Sequence, residues 1–204
     1  MTQTALARVN RLLLLATSLL AGYQIAVGMD GLANLPVAAY TVAFGVLLVA
    51  ALLVLILGFE AFDRQVVVYL STVIPLSFAV GLVCQTLPAL QWPALGFAVF
   101  SLAGLYALRT FSASKRAGLA ALVVVHAVSG ITIVSLPVVL TAAGSVLPGF
   151  LFVSVGGAVM SLGGLLLSLQ RAGKTILTRE KAVLAMPALL FLMTLALISG
   201  FRLR

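Results

Sequence analysis

Charge is what this sequence has least of. Of its 204 residues only 8% are Asp, Glu, Lys or Arg, and just four are acidic. A water-soluble domain carries about 25% charged residues. This chain cannot wet a globular surface all round, so lipid must cover part of it. Residues that hold metals or attack substrates are as scarce. The single Cys84 excludes an intrachain disulfide, and the single His126 excludes a bis-histidine haem site. No Cys/His/Asp/Glu cluster has the makings of a zinc or iron site. No nucleophile with a partner base is identifiable. The expectation is therefore a protein that is not an enzyme, with no catalytic residue, no metal and no cofactor. There is also no room for a soluble domain beside the apolar segments.

What the sequence has in abundance is oil. Hydrophobic residues make up 63%, and mean hydropathy is +1.28. About 20 residues cross a bilayer. Seven apolar runs of roughly that length lie at about 12–28, 36–58, 66–84, 93–108, 117–136, 148–169 and 182–200, none with a charge in its middle. They must be helices, because hydrocarbon offers no partner to a free backbone N–H or C=O, and stretches such as Val46–Leu57 lack the polar/apolar alternation of a β-barrel strand. The predicted fold is all-α: one integral membrane domain over 1–204 with seven transmembrane helices. The first run is read as a retained helix rather than a cleaved signal peptide.

The net charge of +8 reads as a topology signal rather than a nucleic-acid footprint. Ten of the twelve cations fall at the N-terminus or in alternate connections: Arg8, Arg11, Arg64, Arg109, Lys115, Arg116, Arg171, Lys174, Arg179 and Lys181. Only Arg202 and Arg204 fall on the other side. By the positive-inside rule the N-terminus is cytoplasmic and the C-terminus outside, in a multi-pass plasma membrane protein of bacterial type. Tyr23, Trp92 and Phe150 are expected as anchors at the outer interface.

Ala98–Leu105 (AVFSLAGL) and Ala158–Leu165 (AVMSLGGL) match at six of eight positions. Both lead into a basic connection and then another helix. This pattern suggests one leading helix followed by three hairpins, or a chance match among few residue types.

Three groups of residues are candidates for function. Gly149, Gly156 and Gly163 are spaced by seven on the sixth helix, as are Gly157 and Gly164, with Ser161 in a parallel series. Seven residues are nearly two helical turns, so each series is a stripe where another backbone can approach. It is either a seat for a partner chain or packing inside the protein's own bundle. His126, with Ser129 and Thr132, forms a candidate intramembrane polar site on the fifth helix. The structural alternative is an interhelical hydrogen bond. Pro75 and Pro187 each free a carbonyl one turn back. Arg171, Lys174, Arg179 and Lys181 form the most basic connection and are expected to contact anionic lipid headgroups. Glu60, Asp63 and Arg64 read as a solvated, internally paired turn.

The leading functional expectation is a non-catalytic membrane subunit, or an assembly or scaffold factor, acting through helix packing. The alternative is a small transporter or channel for a neutral or lipid-like solute. Expected partners are membrane lipids and either a membrane protein or a second copy of the chain, not nucleic acid.

Overall fold

The computed structural model describes residues 3–58, 65–111, 115–171 and 179–204. Over these residues the chain forms α1 (Gln3–Val27), α2 (Asn34–Leu57), α3 (Gln65–Thr86), α4 (Gln91–Phe111), α5 (Lys115–Ala142), α6 (Leu151–Arg171) and α7 (Arg179–Arg202). Short 3₁₀ turns at Pro88–Leu90 and Pro148–Phe150 lead into α4 and α6. The protein is an all-α polytopic membrane protein. Six helices are long and apolar enough to cross a bilayer, and the described side chains before and along α6 form an apolar run over Pro148–Gly164.

The helices overrun the apolar runs at most ends. α1 starts before Arg8 and Arg11, because a long basic side chain favours a helix as much as leucine does. α5 passes through Pro137 to Ala142, where the sequence suggested a stop near Leu136. In a membrane a proline is tolerated inside a helix because neighbouring groups can satisfy the freed backbone. Helix ends follow turn chemistry. At Gly28 the backbone turns to φ 71°, and Gln24 Nε2 donates to its carbonyl at 2.9 Å.

Six helices make a closed ring in the order α1, α2, α3, α5, α6, α7, with α7 returning to α1. α4 lies outside the ring, against α3 and α5. Its environment differs from that of α6, although the two share the repeated motif: Phe100 on α4 is 79% exposed, whereas Met160 at the matching position is part of the packed bundle.

One half of the ring is plugged by aromatics. Tyr40, Phe44, Phe78, Phe150 and Phe201 are all buried. The rings of Tyr40 and Phe201 lie 4.5 Å apart, and those of Phe44 and Phe78 meet edge-on at 5.0 Å. Tyr40 hydroxyl donates to Gln85 Oε1 at 2.7 Å, tying α2 to α3. Phe150 is therefore a core residue and not the interface anchor its position suggested. It precedes α6 in a turn folded back over Phe201. Trp92 and Tyr23 are exposed, and the Arg202 guanidinium stands over the Tyr23 ring at 5.4 Å.

These contacts gather the 28–33 loop, the end of α3, the start of α6 and the C-terminus at one end of the bundle. Arg204 donates to the Asp30 carbonyl there, and Leu203 packs on Gly149. The N-terminus lies at the other end with Lys115 and Arg116. Epitope tags placed before Met1 and after Arg204 should therefore be accessible from opposite faces of sealed vesicles. Accessibility of both from one face would overturn this arrangement.

Candidate functional site

The α6 glycines are used up by the chain's own helices. A methyl group built on Gly156 would stand 2.7 Å from Leu197 Cγ of α7, and Gly163 faces Leu189 and Met186 of α7. Gly149 lies not on the sixth helix, as its spacing suggests, but in the 3₁₀ turn before it, where a Cβ would meet Leu203. On the neighbouring stripe, Gly157 receives Ile133 and Gly164 receives His126, both from α5. The two glycine series thus serve two different neighbours, and α6 is wedged between α5 and α7. Ser154 adds a hydrogen bond across to α5, its Oγ donating to the Val134 carbonyl at 2.7 Å. Ser161 sits opposite Gly130 and is exposed at its outer edge.

His126 bridges α5 to α3. Its Nε2 lies 3.2 Å from the Ser71 carbonyl and its Nδ1 lies 2.9 Å from the Leu122 carbonyl. The first contact has a covalent cause. In a continuous helix the Ser71 carbonyl would accept from residue 75, but residue 75 is proline and has no N–H. An imidazole with one N–H can donate to only one of these oxygens. Pro75 cannot donate to Ser71 as an ordinary residue 75 would, and on that ground Nε2–H is assigned as the donor across the interface. Each ring nitrogen is thus turned to a backbone oxygen.

This pairing predicts a measurable coupling. His126→Ala should cost about 1 kcal/mol, in the range of intramembrane hydrogen bonds. In a Pro75→Ala background, where an N–H again serves Ser71, the same change should cost close to nothing. A double-mutant cycle on thermal unfolding in detergent measures this, and additive costs would refute the donor assignment.

Ser129 and Thr132 do not join His126 in a common site. Ser129 is fully buried, and its Oγ has no partner among the described residues. Thr132 and Ser135 bond back to the carbonyls of Val128 and Ile131 on their own helix. The slanted row of hydroxyls is therefore mostly satisfied locally. Among the described residues no group of three His, Cys, Asp or Glu side chains could hold a metal ion.

Of the basic connection, Lys174 lies outside the described residues, as do Glu60, Asp63 and Arg64. Arg171 and Arg179 are placed as the last residue of α6 and the first of α7. Lys181 is exposed on α7.

A cleft opens beside His126. α5 and α6 touch closely at Gly157 but part near Gly164, leaving a lateral cleft of about 530 Å³. Pro75 of α3 and His126 form part of its wall. Ala127, Gly130 and Ser161 keep it open because they are small, and Val123, Ile131 and Val134 make it apolar. It extends along α5 from Leu122 to Ser135, about 20 Å at 1.5 Å per residue. That length and the apolar lining suit a hydrocarbon chain. The sequence signal available was the run of small residues on α5, Ala127 and Gly130, facing those on α6.

No family model, curated protein or solved structure matches this chain.

Proposed function

We propose that this chain is a non-catalytic integral membrane protein that takes a lipid-like molecule from the bilayer into the cleft between α5 and α6. The observation that carries this reading is the cleft itself: apolar, lateral, and long enough to take a hydrocarbon chain. The aromatic plug across the ring argues against an aqueous pore. The occupation of the α6 glycines by α5 and α7 removes the most obvious seat for a partner helix.

The cleft also has a charged approach. Arg116 is exposed and lies seven residues before Val123 on α5, so it falls on the stripe that lines the cleft, about 10 Å nearer the basic end. Position 171 stands in the same relation to Gly164 on α6. A polar head resting near Arg116 would leave its chain aligned with the opening. With the basic end cytoplasmic, in a plasma membrane of bacterial type, the molecule would enter from the inner leaflet.

Filling the cleft tests this. Ala127→Phe places a ring in the opening, where Ala127 is exposed. Lipid extracted from protein purified in mild detergent should fall by one molecule per chain in the variant, with the elution profile unchanged. Equal lipid content in both proteins would refute the reading.

The second reading, a subunit or assembly factor working by helix packing, is favoured by α4. Its outer face carries Trp92, Val99, Phe100 and Phe111, all strongly exposed. Co-purification of a stable membrane partner, lost on changing Phe100 and Phe111 to Ala, would support that role.

A further inference from the structure

A second groove, independent of the cleft, lies between α1 and α2 at the basic end. It has a volume of about 370 Å³ and is lined by Leu12, Leu15, Leu55 and the carbon stems of Arg8 and Arg11. We propose that it binds one anionic phospholipid, with the phosphate held by Arg8 and Arg11 and an acyl chain along the three leucines.

Spacing builds the site. Residues 8, 11, 12 and 15 follow the i, i+3, i+4, i+7 pattern of a single helix face. Along that face the two cations come first, with Leu12 and Leu15 about one and two turns past Arg8. This is the order in which a phospholipid presents its phosphate and then its chain. Leu55 of α2 supplies the opposite wall.

Position supplies the second argument. The apolar run of α1 begins at about residue 12, so Arg8 and Arg11 stand at its basic edge. Both side chains are exposed on the outside of the bundle. Exposed cations at that edge meet the headgroup layer and favour anionic lipid there. No carboxylate among the described residues pairs with either arginine. A lipid phosphate lies at the right depth, carries the right sign, and accepts the two-pronged hydrogen bonding that a guanidinium offers.

The test is retention of lipid by the full chain in neutral detergent, read by native mass spectrometry. Palmitoyl-oleoyl phosphatidylglycerol and phosphatidylcholine with the same chains serve as probes. With the cleft filled by Ala127→Phe, one phosphatidylglycerol should remain bound per chain, at least tenfold more readily than phosphatidylcholine. Arg8→Gln with Arg11→Gln should erase that preference, while Arg8→Lys with Arg11→Lys should retain part of it. Leu15→Ser should weaken retention severalfold with the charges intact. Millimolar inorganic phosphate should not displace the lipid.

Both arginines lie outside the packed core, so the variants should elute and unfold as the parent does. Equal retention of the two lipids, or unchanged retention in the double glutamine variant, would overturn the proposal. Displacement by inorganic phosphate would also overturn it, since that marks a phosphate site rather than a lipid site. Ala127→Phe leaves this groove untouched, so loss of lipid from one site is distinguishable from loss at the other.

Discussion

Phe201→Ala should be among the most destabilising single changes in the protein. Phe201 is buried near the end of α7 and meets four other rings: Tyr40 at 4.5 Å, Phe78 stacked at 6.1 Å, Phe150 at 6.3 Å and Phe44 at 6.4 Å. Phe→Ala in a packed core costs about 3–5 kcal/mol. Part of that figure is transfer of the ring out of water, a gain that a lipid-exposed reference state largely lacks. What remains is the cavity and the lost dispersion contacts, so the lower end of the range is expected. Phe100→Ala is the control. It removes the same atoms from a lipid-facing position on α4 and should change stability by less than about 0.5 kcal/mol. Thermal unfolding of both variants in one detergent decides the matter, and similar shifts would mean that the aromatic cluster does not hold the ring of helices together.

Gly200→Ala should be the second large effect, although it adds a single methyl. A Cβ at Gly200 would stand 2.5 Å from the backbone nitrogen of Val153 and 3.1 Å from the Phe152 carbonyl carbon. The obstruction is the main chain of α6, which cannot rotate aside as a side chain can. α6 and α7 would have to separate, and such overpacking costs about 1–3 kcal/mol. Gly104→Ala makes the opposite point. Nothing lies within 4 Å of a methyl group there, and alanine is the better helix former by about 1 kcal/mol. That variant should be neutral or slightly more stable. If both glycines tolerate alanine equally, the close approach of α6 and α7 is wrong.

Much of the architecture was legible because lipid imposes a simple rule. Length and hydropathy located the seven helices, and the cations alone divided the connections between two faces. The glycine stripes were legible as packing positions, but not which neighbour they meet, since a small residue admits a helix without naming it. Lateral order was hidden too. Nothing in the apolar run of α4 says that it lies outside the ring, because lipid and protein interior demand the same side chains. Phe150 was misplaced for that reason: an aromatic at the end of a span fits either an interface or a core. A buried row on α1, formed by Asn10, Thr17 and Gln24 at intervals of seven, is inconspicuous in the sequence because such mild polar groups barely dent the hydropathy. The link from His126 to Ser71 needs Pro75 and the three-dimensional approach of α3 together. The cleft could not be read at all, because it is defined by where two helices part.

The outlying position of α4 has a consequence for direction. α3 and α5 are neighbours in the ring, and both run away from the basic end. Two adjacent helices with the same heading cannot be joined by a tight turn, and α4 is the return stroke between them. It adds little to the interior, yet every later segment inherits its polarity from that crossing. Deleting α4 would remove few buried contacts but would force α5, α6 and α7 to enter the bilayer upside down or fail to enter. Its contribution is one of parity, and an exposed helix of this kind is indispensable for reasons that no inventory of packing would reveal.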